Sequence, residues 1–235
     1  MPLSPLPMSG LLRTGPLRYS GGMSRFRSHL LIFGLCIAPV AALAHPHVFI
    51  DTTLRAAVDA DGTFTGLEVE WAYDDFYSLL IFADMGLDTD GDGQLSPEEV
   101  QQLEGFDLQW IEGFEGDSYA IQDGQPVALG TPEFRAARVE GGRIITTHFR
   151  AAQAPAAGLQ IKAYDPTLYT AYALVGQVEV DGPCTTIIDP ADLDSAYSRL
   201  EELLFGNPVP DGDGMVEFPA VGESFADTVT LSCEP

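Results

Sequence analysis

The chain has 235 residues, 35 of them Asp or Glu against 11 Lys or Arg, for a formal net charge of −24. A surface of that sign repels nucleic acid and anionic lipid headgroups and attracts cations and basic partners, so nucleic-acid binding is set aside. With 46% hydrophobic residues, no low-complexity tract and no internal repeat, the remainder reads as a globular protein with a core.

The charge is unevenly placed. Residues 1–44 carry Arg13, Arg18, Arg25 and Arg27 and no acid, with an apolar run over 30–43. Ala42-Leu43-Ala44 supplies the small-x-small pattern of a secretory cleavage site, so 1–44 reads as a signal peptide and His45 as the mature N-terminus. An apolar run of 14 residues is short beside the ~20 that span a bilayer. An uncleaved anchor is one alternative; a lipid anchor at Cys36, preceded by Leu35 instead of a small residue, is another. Removing 1–44 leaves seven basic residues against 35 acidic ones, a formal charge of −28 over residues 45–235. The expectation is one periplasmic domain, not itself transmembrane. Its two cysteines, Cys184 and Cys233, favour one disulfide in an exported chain.

Residues 47–54 and 66–73 alternate apolar and polar and read as strands, joined through the turn Asp59-Ala-Asp-Gly62 into a hairpin. Residues 74–85 change to helical spacing, with Phe76, Leu79, Leu80 and Phe82 apolar. A second helix begins at Ser96-Pro97-Glu98-Glu99, where Ser96 suits the N-cap, Pro97 the first position and Glu99 a capping box. It continues through Leu103 and is expected to resume near Trp110. Strands follow over 119–127 (with a turn), 143–150, 159–164 and 172–180. A helix over 190–204 shares Leu193, Ala196, Tyr197, Leu200, Leu203 and Leu204 on one face, residues 207–214 form a loop, and 227–233 is the closing strand. The fold class is α+β: an antiparallel, β-rich single domain with an inserted helix–loop–helix and a C-terminal helix.

The inserted loop carries the sharpest chemistry. Residues 88–99 read DTDGDGQLSPEE, an EF-hand-like calcium loop. Asp88, Asp90 and Asp92 stand at positions 1, 3 and 5, and Gln94 at 7 offers its backbone carbonyl. Ser96 stands at 9 and Glu99 at 12, while Gly93 occupies position 6, where the chain turns around the ion. Four carboxylates in twelve residues repel one another unless a cation neutralises them. The plain alternative is an acidic surface loop, which needs neither these ligand positions nor the glycine. Asp211-Gly-Asp-Gly214 starts like a second loop but lacks its closing glutamate. A lone loop suggests a calcium staple more than a switch.

Histidine is scarce. His45 and His47 lie within three residues of the expected mature end, and His148 falls in the strand over 143–150. His45-Pro46-His47 groups nitrogen donors for zinc, nickel or copper. Pro46 has no N–H, which disfavours the square-planar amino-terminal copper/nickel mode. A transition-metal set of His45 and His47 with His148 or a carboxylate would suit tetrahedral zinc; the alternative makes all three structural. No glycine-rich phosphate loop, nucleophile elbow or HExxH run is present, so no enzyme is read here. Asp165, in Tyr164-Asp-Pro-Thr167, reads as the cap of a turn.

The segments His45-Pro-His-Val-Phe-Ile-Asp51, Trp71-Ala-Tyr-Asp-Asp-Phe-Tyr-Ser78, residues 88–99 and Tyr164-Asp-Pro-Thr167, in this order, resemble domain-of-unknown-function family 1007. Asp75 stands where glutamate is expected and Phe49 where tryptophan is common; residues 207–223 look like a local extension. The resemblance implies a periplasmic accessory component of zinc, nickel or cobalt uptake, with an inner-membrane transporter as partner. Three readings follow: a transition-metal accessory protein with structural calcium, a calcium-stabilised interaction module, and, remotely, an exported hydrolase.

Overall fold

The amino-terminal hairpin is present and longer than the sequence pattern indicates. Strands β1 (Val48–Val58) and β2 (Thr63–Tyr73) pair antiparallel over their whole length in the computed structural model, which describes residues 46–206 and 218–233. Asp59 closes the turn by accepting the amides of Asp61 and Thr63 at 3.0 and 2.8 Å. On β1 the residues Val48, Ile50, Thr52, Leu54, Ala56 and Val58 are buried, the period-2 pattern of a strand with one face in the core.

Helices α1 (Asp75–Met85) and α2 (Pro97–Gln102) follow as the inserted helix–loop–helix. Asp74 caps α1 through the amide of Tyr77, and left-handed Gly86 ends it. Near Trp110 no helix resumes: residues 103–107 and 112–113 are turns joined by irregular chain, and the Trp110 indole donates to Asp107 O at 2.9 Å. The remaining elements are β3 (Ser118–Gln122), β4 (Gln125–Val127), β5 (Glu133–Glu140), β6 (Arg143–Pro155), β7 (Gln160–Ala163), β8 (Thr170–Leu174), β9 (Glu179–Asp181), β10 (Cys184–Asp189), α3 (Leu193–Phe205) and β11 (Thr228–Cys233).

Two sheets result, ordered β5-β6-β2-β1-β8, with β9 also on β1, and β10-β11-β7-β3-β4. The second is antiparallel throughout, whereas β8 and β9 lie parallel to β1, so the first sheet is mixed. The stretch expected as one strand over 172–180 is these two short strands. Leu54, Leu67 and Val69 of the first sheet share one core with Ala120, Ile161, Val229 and Leu231 of the second. Leu168, Leu200 and Val221 form a smaller cluster under α3. Gly66 is required where β2 bulges against β6, since any side chain there would run into the Phe149 ring and Arg150 O.

Helix α1 corrects its expected face. It buries Ser78 and Phe82 and packs Tyr77, Ile81 and Met85 on the core, leaving Phe76, Leu79 and Leu80 exposed. The Ser78 hydroxyl earns its burial by accepting the amide of Ile144 at 3.0 Å. Cys184 and Cys233 form the expected disulfide, at paired positions of β10 and β11. No helix among the described residues is long and apolar enough to cross a membrane.

Candidate functional site

Between α1 and α2 the backbone wraps around the Asp88 carboxylate. Its oxygens accept from the amides of Asp92 (3.0 Å) and Gly93 (3.1–3.2 Å), and Asp92 in turn accepts the amide of Gln94 at 2.8 Å. Gly91 and Gly93 take positive φ, which lets the loop turn so tightly. One oxygen from each of Asp88, Asp90 and Asp92 lies within 4.8 Å of the others. Leu95 packs on the core and fixes the loop's far side.

Glu99 is placed as the capping-box residue of α2, and the converging oxygens are those of Asp88, Asp90 and Asp92 without it. Glu99 Oε2 accepts from the Ser96 amide (2.9 Å) and hydroxyl (2.8 Å), and its Oε1 from the Asp88 amide at 3.1 Å, tying the loop's two ends together. The bond from the Ser96 amide, then that from its hydroxyl, hold the Glu99 carboxyl below its usual range. Gln94 turns its side-chain amide to Asp92 Oδ2 at 3.2 Å. The donor set is all oxygen with three converging carboxylates, which fits a hard divalent cation and calcium above all.

His47 and His148 do not share a site. His45 lies outside the described residues. His47 is exposed, its ring 4.8 Å from that of Tyr169 and its amide donating to Tyr169 O at 2.8 Å. His148 pairs with Val69, and Val69 with Leu54. Leu54 is seven residues along β1 from His47, roughly 23 Å at strand rise. His148 therefore cannot join His47 on one ion. It is fully buried between the rings of Trp71 (4.7 Å) and Trp110 (5.8 Å), and neither ring nitrogen meets a hydrogen-bond partner. Burial, helped by the charge of Arg150, pulls its pKa down to about 4, so the imidazole is neutral. Asp165 is the turn cap that the sequence suggests: it accepts the amides of Thr167 and Thr170 at 2.8 and 3.0 Å.

Several buried polar groups were not signalled by the sequence. Arg150, 3% exposed, donates to the carbonyls of Glu115, Ser118, Leu129 and Gly130. Asp107 accepts from Tyr73 (2.9 Å) and Thr146 (2.6 Å) on one oxygen while the other meets no partner. Burial raises the Asp107 carboxyl, with those hydroxyls working against it. Asp107 stands among aromatic rings at a cavity of about 620 Å³.

The family model described as protein of unknown function (DUF1007) matches residues 30–233. The chain belongs to this family. No curated protein matches it. DUF1007 carries no assigned activity, so the chemistry of this member has to be argued from its own residues.

Asp117 is 5% exposed and accepts the Tyr172 hydroxyl at 2.8 Å; burial, against that bond, pushes its carboxyl up from 3.8 to about 7. The folded form therefore holds a proton between about pH 4 and 7 that the unfolded form has released, and stability falls as pH rises through this window. His148 works oppositely: unfolding takes up a proton between about 4 and 6.5, so its contribution falls as pH drops. Asp117→Asn isolates the first effect, because Asn can accept from Tyr172 and tolerates the φ of 47° at this position. The stability difference between wild type and D117N, from urea titrations, is expected to shrink by about 2 kcal/mol from pH 5 to pH 8. A difference independent of pH would contradict the assignment.

Proposed function

We propose that this chain is an exported metal-binding accessory protein: it binds calcium at residues 88–99 as a structural staple and supports uptake of zinc, nickel or cobalt. The convergence of Asp88, Asp90 and Asp92 in a capped helix–loop–helix carries the calcium part. Export is supported by the basic, then apolar, start of the sequence and by the Cys184–Cys233 disulfide, a bond that persists in oxidising compartments. The transition-metal part rests on His45 and His47 at the expected mature end and on the resemblance of the family to transport accessory components, with an inner-membrane transporter as partner. His148 is left out of the ligand set by its distance from His47.

Residues 45–235, isolated from the periplasm, test both parts. Calcium at 10 mM is expected to raise the thermal midpoint by roughly 5 °C, given an affinity near that of extracellular modules, and Glu99→Gln to remove the gain. A calcium-indifferent midpoint would end the staple. Zinc and nickel titrations in excess calcium are expected to show a site lost in His45→Ala/His47→Ala. Absence of any site tighter than about 10⁻⁴ M (well above a functional carrier's needs) would remove the transport chemistry from this chain.

A second reading, a calcium-stabilised interaction module, has its own observation. Phe76, Leu79 and Leu80 are 75, 56 and 53% exposed on the helix that enters the loop. A contiguous apolar surface of this kind marks an interaction site. On this reading, which has no transition-metal role, the histidine variants leave partner binding and growth under metal limitation unchanged, while Leu79→Asp weakens partner binding.

A further inference from the structure

A cavity of about 620 Å³ lies where β1, β2 and β8 meet α1 and the turn that follows α2. That volume falls within the range of small-molecule sites. Its walls are unusually aromatic: Trp71, Tyr73, Tyr77, Phe106 and Tyr172 line it, with Tyr169 beside them. The rings are held against one another. Tyr73 stacks on Tyr77 at 5.3 Å and meets Phe106 at 5.8 Å, while Trp71 lies 5.8 Å from Tyr172.

The charges in this box have one sign. Asp107 and Asp84 line it, and no lysine, arginine or histidine does. Asp107 is oriented by Tyr73 and Thr146 on one oxygen, which leaves its second oxygen without a partner. Trp71 is 3% exposed, lines the same cavity, and its indole N–H is also without a partner. Buried polar atoms of this kind normally have one. Both atoms are closed to solvent, so they set the polarity of the cavity wall and do not themselves open onto it.

We propose that this cavity binds a small organic cation, an alkylammonium or quaternary ammonium compound. The ring faces attract the cation through their quadrupoles, and attraction grows when the site excludes water. Asp107 supplies the counter-charge. A bare metal ion is a poorer occupant, because the walls offer phenyl and indole faces where it needs lone pairs, and the described residues place no third carboxylate, cysteine or histidine with Asp107. An organic anion would meet two carboxylates. None of residues 88–99 lines the cavity and His47 adjoins it only through Tyr169, so the site stands or falls separately from the metal-handling reading.

The test is binding of choline, tetramethylammonium and ethanolamine to residues 45–235, measured by calorimetry and by tryptophan fluorescence, since Trp71 and Trp110 are the only tryptophans. At least one of these cations is expected to saturate the protein. The uncharged carbon analogue of choline, 3,3-dimethylbutan-1-ol, is expected to bind at least tenfold more weakly. Asp107→Asn keeps an oxygen for Tyr73 and Thr146 and is expected to weaken the cation at least tenfold. Should D107N misfold, Asp84→Asn, with Asp84 exposed at the same cavity, removes one charge and is expected to weaken it about threefold. Equal affinity for the neutral analogue would overturn the proposal, as would no saturation by any of the three cations at 10 mM. Zinc binding that depends on Asp107 would overturn it in favour of a metal.

Discussion

Arg150→Met is expected to destabilise the folded chain by about 3–5 kcal/mol, the range for breaking a buried charge out of its partners. The guanidinium sits on β6, facing inward with Ile144, Thr146 and His148. Its partners are four backbone carbonyls, those of Glu115 (2.6 Å), Ser118 (3.2 Å), Leu129 (3.1 Å) and Gly130 (3.0 Å). Two of these precede β3 or open it and two follow β4, so a single side chain pins both ends of that hairpin to the first sheet. The Trp110 ring covers it at 5.0 Å. Methionine fills much of the space but donates nothing, and each carbonyl left buried and unsatisfied costs about 1–3 kcal/mol. Arg150→Lys is expected to recover only part, since an ammonium has three donors and no planar fork. Arg55 is the internal control. It meets Glu68, Glu179 and Asp181 but its side chain is 45% exposed, and Arg55→Met is expected to change stability by under about 1 kcal/mol. Urea titrations of the variants decide it: a loss of less than about 1 kcal/mol for R150M would mean that water replaces the guanidinium freely.

Local chemistry made some of this legible in the sequence. Asp59 and Gly62 announce a turn, Ser96, Pro97 and Glu99 a helix start, and Asp88, Asp90, Asp92 and Gly93 a tight loop whose carboxylates converge; each signal acts within a few residues. Other features depend on what the rest of the chain covers. Helix α1 is apolar on nearly every side, so its spacing does not say which side is covered. Tyr77, Ile81 and Phe82 face the core and Phe76, Leu79 and Leu80 do not. β5 carries only Phe134 and Val139 as large apolar residues among Ala, Arg and Glu, so it shows no clear alternation, and its pairing with β6 is what makes it a strand. The parallel placement of β8 on β1 is a long-range choice that alternation cannot encode. His148 and Asp107 carry no pattern at all. A histidine in a strand reads the same whether it faces water or two tryptophans, and only the register with Val69 and Leu54 shows that it lies far from His47.

Opening the Cys184–Cys233 bond is expected to lower stability by about 4 kcal/mol, the entropy of closing a loop of this length in the unfolded chain. The two cysteines are 49 residues apart and directly opposed on β10 and β11. β11 is interior to the second sheet, with β7 on its other side, while β10 is the edge. The bond thus secures an edge strand and the C-terminal strand with one link, and α3 and the 3-10 turn Gly222–Phe225 lie inside the loop it closes. Urea titration of Cys184→Ala/Cys233→Ala, and of wild type with and without reductant, measures the effect. Because residues 88–99 and the aromatic cavity are built on α1, α2 and the first sheet, the calcium binding proposed for that loop should survive per folded molecule in the variant. Loss of that binding together with the bond would mean that the two sheets unfold as one unit and that the second sheet supports the loop. A stability loss under about 1 kcal/mol would instead show that residues 184–233 remain restricted in the unfolded chain without the bond. The expected value ties the compartment to the fold: a chain this acidic, folding in a reducing environment, would lack the one covalent link that offsets the repulsion among its 35 carboxylates.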